Sequence, residues 1–176
     1  MSEVLDSIAK RSSTRGYTTE KLTQSELDTI LTAGLQSPSA TNKQEIFFSV
    51  IDGNNSIIEE LGQEKMRLRN ANRGEHNAFY EAPTIIMLSA EDDFRWSAVD
   101  AGIAVQSMAL AAESLGLGSL IVGSVYDAMR GDKRAYFKEK MQIPAEKDFQ
   151  IALAVGHKAV EKEPHTYAFE KQVAIV

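Results

Sequence analysis

Apolar side chains recur along the chain in two rhythms, a helical one and short β-branched runs. Val4, Leu5, Ile8 and Ala9 share one helical face, which predicts a first helix over 3–10. A second is announced by Leu22-Thr23-Gln24-Ser25-Glu26-Leu27: Thr23 and Glu26 have capping-box spacing, with Leu22 and Leu27 as the hydrophobic staple. Leu27, Ile30, Leu31 and Leu35 continue its buried stripe. Ser37-Pro38 ends it, because the residue before a proline avoids the helical region. The run IFFSVI at 46–51 predicts a buried strand. Ser56 with Glu59 opens a third helix that runs into the basic, polar stretch 65–76, and TIIML at 84–88, set off by Pro83, predicts a second strand. Ser97 and Asp100 have capping-box spacing at the head of a long helix to residue 115. A strand at 120–122, a helix over 127–141, a strand at 149–155 and a terminal strand in QVAIV complete the pattern.

The long helix carries alanine, valine, isoleucine, leucine or methionine on nearly every side, so it belongs in a core or an intersubunit interface. Its alanines and Gly102 permit close approach of other backbones. Strands alternating with helices suggest a parallel sheet. Against that, the chain begins with two helices, and no strand runs through a glycine-rich turn into a helix. The pattern alone leaves the strand directions open.

The chain's 176 residues suit one domain, and a chain of that length buries roughly two-thirds of its unfolded surface without a staple. A formal charge of −6 argues against a general nucleic-acid binder and makes local basic clusters stand out. With no cysteine there is no disulfide, thiolate nucleophile, cysteine zinc site or iron–sulfur cluster. MSEVLDSIAK lacks the basic start and apolar run of a signal peptide, and no stretch is long enough to span a bilayer, so a cytoplasmic protein is expected. His76, His157 and His165 have no metal-ligand spacing, and no metal is expected.

Two segments offer binding chemistry. In KRSSTRGY, Arg11 and Arg15 bracket Ser12, Ser13 and Thr14: guanidinium forks and short hydroxyls suit an oxyanion, though a solvated helix end explains the same residues. In SPSATNKQ at 37–44, small residues with Asn42 and Gln44 can approach the amide edge of a planar heteroaromatic ring, or simply make a turn. Leu115-Gly116-Leu117-Gly118 follows a helix instead of a strand and lacks a third glycine, so it reads as a helix C-cap and not a dinucleotide loop. Gly123, at the end of the 120–122 strand, permits close backbone approach to a ligand. Arg67, Arg69 and Arg73 read as a solvated face, or as a site mouth for an anionic cofactor.

In their order, KRSSTRGY followed by SPSATNKQ resembles the start of the FMN-dependent nitroreductase family, which carries R-x-S-x-R/K and then P-S-x-x-N-x-Q. The segments NAFYEAPTIIMLSA, DAGIAVQSMALAAESLGLGS and IALAVGH are similar to the middle and end of that family, so the resemblance covers residues 1–158. It implies an α+β three-layer fold, a central and mostly antiparallel sheet wrapped by helices, in an intertwined homodimer with FMN at each interface. The whole chain, 1–176, is then one domain, with 159–176 an extension packing on the partner subunit, and QVAIV a strand added to the partner's sheet.

The resemblance also implies roles. Arg11, Ser12 and Ser13 match positions at the FMN phosphate and ribityl chain. Arg15 matches a basic position at the flavin N1–O2 edge, where it would stabilise the charge that develops when NAD(P)H delivers hydride to N5. Pro38, Ser39 and Ala40, with Asn42 and Gln44, match the loop that covers the ring from the partner. Leu120, Ile121, Val122 and Gly123 match a strand end whose amides face N5 and O4. No protein nucleophile is required, since the cofactor carries the chemistry.

Two departures stand out. Many relatives read Q-P-W where this chain has Gln44-Glu45-Ile46, and their basic tail motif is replaced by Glu163-Pro164-His165-Thr166-Tyr167, leaving Lys162 or His165 to stand in. The expected activity is electron transfer from NAD(P)H to nitroaromatics, quinones or similar acceptors, with no nucleic-acid or membrane partner. A specialised flavin enzyme of the same fold, such as a reductive dehalogenase or a flavin-modifying enzyme, and a non-catalytic dimeric flavin-binding protein are the alternatives.

Overall fold

The computed structural model describes residues 2–72, 74–163 and 166–175. Among them, strands Phe47–Asp52 (β1), Thr84–Glu91 (β2), Gly118–Val122 (β3) and Lys147–Gly156 (β4) form one sheet in the order β1-β2-β4-β3. Every neighbouring pair is antiparallel, as the family resemblance implied. The edges are therefore β1 and β3.

Helices cover both faces: Glu3–Lys10 (α1), Gln24–Leu35 (α2), Ser56–Arg69 (α3), Ser97–Ser114 (α4), Tyr126–Arg130 (α5) and Arg134–Lys140 (α6), with a short tail helix Phe169–Gln172 (α7). Alternate strand residues feed two cores. Ile85 and Met87 of β2, with Ala152 and Ala154 of β4, pack under α3, α5 and α6. Ile86 and Leu88, with Leu153 and Val155, pack under α2 and α4. Seven consecutive β2 residues are buried for this reason.

Local chemistry accounts for most element ends. The Thr23–Glu26 capping box and the αL Gly116 (φ 77°) are both present, the latter with Leu117 N–H on the Ala112 carbonyl (2.9 Å) and Gly116 N–H on Glu113 (3.0 Å), a Schellman motif. Other expectations need correction. Ser97 does not cap α4: its hydroxyl turns to the Glu91 carbonyl (2.6 Å) and Glu45 Oε1 (2.7 Å), and Trp96 occupies the cap position. Asn55, and not Ser56, caps α3 through Ile57 N–H, and the helix stops at Arg69 because Asn70 turns left-handed (φ 48°). The helix expected over 127–141 is two, broken at Gly131, where the backbone becomes extended (φ −81°, ψ −160°). Within the single chain QVAIV forms no strand over its described residues: Gln172 ends α7, and 173–175 join no ladder. Val176 lies outside the described residues.

Among the described residues no helix is long and apolar enough to cross a membrane, and no group of three acidic or histidine side chains could hold a metal ion.

Candidate functional site

Residues 11–17 leave α1, touch the free edge of β3 at its start and cross to the segment that follows β4. Ser13 pairs with Ser119 in a parallel bridge, and Thr14 N–H donates to the Ser119 carbonyl (2.9 Å). Thr14 is buried, while Ser13 is half-buried and Arg15 exposed. Thr14 turns inward against Gly118, and the residues of the R-x-S-x-R spacing around it, Arg11, Ser13 and Arg15, are half-buried or exposed.

The hook is held at both ends. Its Thr14 methyl and hydroxyl sit where a Cβ on Gly118 would lie, 2.7 Å away, so only glycine admits this approach. Downstream, Tyr17 donates to the Thr14 carbonyl (3.1 Å), Thr18 N–H to the His157 carbonyl (3.0 Å), and Ala159 N–H to the Gly16 carbonyl (3.0 Å). Burial pushes the Tyr17 hydroxyl well above the ordinary tyrosine range, against the pull of the nearby Arg15 charge, so this clamp stays protonated. Ser12 Oγ reaches the Lys162 carbonyl at 3.4 Å, which brings the start of the tail beside the hook. His165, the other candidate tail ligand, lies outside the described residues.

Among the described residues neither Arg11 nor Arg15 has a carboxylate partner; Arg15 lies only over the Tyr80 ring, 5.7 Å from its centroid. After Thr14 the segment crosses the Gly118 end of β3, where Gly16 to Thr18 meet His157 to Ala159, and the strand itself runs from there through Leu120, Ile121 and Val122 to the exposed Gly123 at its other end. A Cβ on Gly123 would meet only Ile151 Cδ1 at 3.4 Å, an ordinary contact. Nothing within the chain demands glycine there.

The loop 38–44 lies elsewhere. It connects α2 to β1, at the opposite edge of the sheet from the hook. Three of its residues are left-handed, Thr41, Asn42 and Gln44 (φ 55°, 54° and 50°), a strain that surrounding contacts must hold. Both carboxylate oxygens of buried Asp100 accept from Ala40 N–H (3.1 Å each), and Ser39 Oγ accepts from Gln44 N–H (2.8 Å). Buried Glu45 anchors the exit to β1: Oε1 accepts from Ser97, its carbonyl accepts from Lys147 (2.6 Å), and Lys43 lies 3.4 Å from Oε2. A cleft of about 290 Å³, lined by Pro38, Ser39, Gln44 and Asp100, opens beside the loop. Pro38, Asn42 and Gln44 are exposed; Ser39 and Ala40 are half-buried.

Within one chain, then, Arg11, Ser12, Ser13 and Arg15 flank the start of β3, the strand that carries Leu120, Ile121 and Val122 to Gly123 at its other end, and Pro38, Ser39, Ala40, Asn42 and Gln44 form a second group on the far edge. Asp100, read from the sequence only as a helix start, proved to be the clamp of that loop. Lys65 of α3 escaped the sequence reading, and Arg69, read there with Arg67 and Arg73 as a solvated face or a site mouth, joins it in reaching Ser124 beside Gly123. Their signal was the basic run itself, in which Arg67 pairs instead with buried Glu64 and Arg73 lies outside the described residues.

A model of the Nitroreductase family matches residues 8–157. The chain belongs to this family. Its fold matches that of the nitroreductase with bound FMN from Desulfitobacterium hafniense DCB-2 with a TM-score of 0.90, at 26% identity over 100% of this chain and 99% of that one. The nitroreductase with bound FMN from Bacteroides fragilis NCTC 9343 superposes with a TM-score of 0.88, also at 26% identity, over 100% of both chains. In sequence the chain is 28% identical over 181 residues to an FMN reductase (NAD(P)H) of Bacillus subtilis (strain 168), covering 90% of this chain and 67% of that relative. This family member thus has the three-layer nitroreductase architecture around an antiparallel sheet.

Proposed function

We propose that the protein is an FMN-dependent oxidoreductase that takes electrons from NAD(P)H and passes them to nitroaromatic, quinone or similar electron-poor acceptors in a cytoplasmic setting. The observation that carries this reading is the pair of arginines, without carboxylate partners among the described residues, flanking Ser13 where it bridges to β3, the strand that ends at Gly123, which has no internal need of glycine. That donor set fits a phosphate-bearing planar cofactor: Arg11 and Ser13 toward the phosphate, Arg15 toward the ring, and bare backbone at 120–123 for close approach.

Bound FMN would supply the hydride chemistry. The chain's residues bind and orient it, and Arg15 places a fixed positive charge where the reduced ring gathers negative charge. Lys162, whose backbone carbonyl accepts from Ser12 of the hook, would stand in for the basic tail residues of relatives.

The separation of the hook from the 38–44 loop supports a homodimer in which each site takes its hook from one subunit and its lid from the other. Two apolar surfaces support the same assembly. Val4, Leu5 and Ile8 of α1 are half or more exposed (65%, 52% and 50%), and Val99 and Ile103 of α4 lie uncovered beside Gly102. The segment 159–176, with Tyr167, Phe169 and Ile175 exposed in the single chain, would pack on the partner.

The test is direct. The purified protein should be yellow or take up added FMN, and should oxidise NADPH continuously when given a nitroaromatic acceptor. A colourless protein indifferent to FMN refutes the cofactor. Flavin reduction without acceptor turnover leaves a flavin-binding protein and refutes the enzyme.

A further inference from the structure

Two cations converge just beyond the end of β3. Lys65 Nζ donates to Ser124 Oγ at 3.1 Å, and Arg69 Nη2 lies 3.4 Å from the Ser124 carbonyl oxygen. They stand four residues apart on α3 and so share one face, where like charges repel. Neither has a carboxylate partner among the described residues.

Their neighbour shows the contrast. Arg67, on another face of α3, is paired with buried Glu64 at 2.6 Å, and Lys133 joins the same carboxylate at 3.2 Å. The helix thus neutralises one cation and leaves two. Lys65 is half-buried, so its ammonium has given up water without gaining a counter-charge. Burial, and secondarily the Arg69 charge, depress it below the ordinary lysine range. A bound anion would relieve both costs. Ser124 completes the donor set, because accepting from Lys65 leaves its own O–H free to donate.

We infer that Lys65, Arg69 and the Ser124 hydroxyl form a subsite for an oxyanion carried by a redox substrate, a phosphate of the nicotinamide donor or a carboxylate of the acceptor. The inference rests on the flavin reading above, since it places the subsite one residue beyond Gly123, at the strand end assigned to the reactive edge of the ring. It makes the protein selective for anionic over neutral substrates, with Lys65 and Arg69 as specificity residues that leave the redox step untouched.

The test compares wild type with Lys65→Gln/Arg69→Gln and with Arg69→Gln alone, whose exposed side chain can be lost without unfolding. Dissociation constants and steady-state constants are measured for NADPH, for 4-nitrobenzoate and for neutral 4-nitrobenzyl alcohol. The expected result is a rise of about tenfold in Kd and KM for one anionic ligand, as losing a charge-assisted hydrogen bond entails. The neutral acceptor, kcat and flavin content should stay as in wild type. A rise confined to NADPH assigns the anion to the donor, and one confined to 4-nitrobenzoate to the acceptor. Equal shifts for charged and neutral acceptors, no shift at all, or loss of flavin overturns the inference. Calorimetry with inorganic pyrophosphate separates this from failure of the flavin reading. Weaker binding by the variants supports the subsite even in a protein that proves colourless, and unchanged binding counts against it.

Discussion

Thr14 turns the hook outward by turning itself inward, and Gly118 makes room for it. Gly118→Ala should therefore destabilise the fold by about 1–3 kcal/mol, as overpacking does, and weaken FMN retention with it. Urea melts and a flavin titration on the same variant check both. Arg11→Ala should leave the melt near wild type and weaken FMN binding by about 1–3 kcal/mol, the cost of losing a hydrogen bond to a charged group. Unchanged flavin affinity would remove Arg11 from the site. Glu64 predicts a pH effect. The Arg67 guanidinium, helped by Lys133, holds its carboxyl down at about 2 from the ordinary 4.5. The folded value lies below the unfolded one, so its stabilising share is complete above about pH 4.5 and is lost as pH falls toward 2. Urea midpoints should drop across that interval, and less steeply in Glu64→Gln.

At the scale of elements, the 38–44 loop depends on one carboxylate. Asp100→Ala removes both acceptors of Ala40 N–H, and three left-handed residues then lose their anchor. The Ala40 amide should exchange with solvent at least about tenfold faster, the equivalent of a hydrogen bond to a charged group; unchanged protection would mean the strain is held elsewhere. This dependence was not legible beforehand, because a residue 60 positions away supplies the clamp. What was legible is local: the Thr23–Glu26 box and the Gly116 cap follow from neighbours in the chain. Strand direction was not. β2 is covered on both faces, and such burial erases the alternation that marks an antiparallel sheet with one wet side. The pattern likewise merged α5 and α6, since the break at Gly131 is a backbone turn that leaves the apolar periodicity intact. Family resemblance supplied the antiparallel sheet.

At the scale of the molecule, the two groups of site residues lie on opposite sheet edges, so the proposed site is complete only in a dimer. Light scattering should give twice the 19.4 kDa chain mass. Ile103→Asp, which puts a charge on the uncovered face of α4, should release monomers and abolish flavin binding together. A variant that stays dimeric, or monomers that keep their flavin, would contradict the shared site. The bridge between Ser13 and Ser119 carries one more consequence. β3 is an edge strand, and the hook occupies the flank whose bare amides and carbonyls would otherwise template another chain. Occupancy of the proposed cofactor site and colloidal behaviour are thereby linked: whatever loosens residues 11–17 also unmasks a surface prone to intermolecular β-pairing, so flavin-depleted stocks should precipitate sooner than replenished ones.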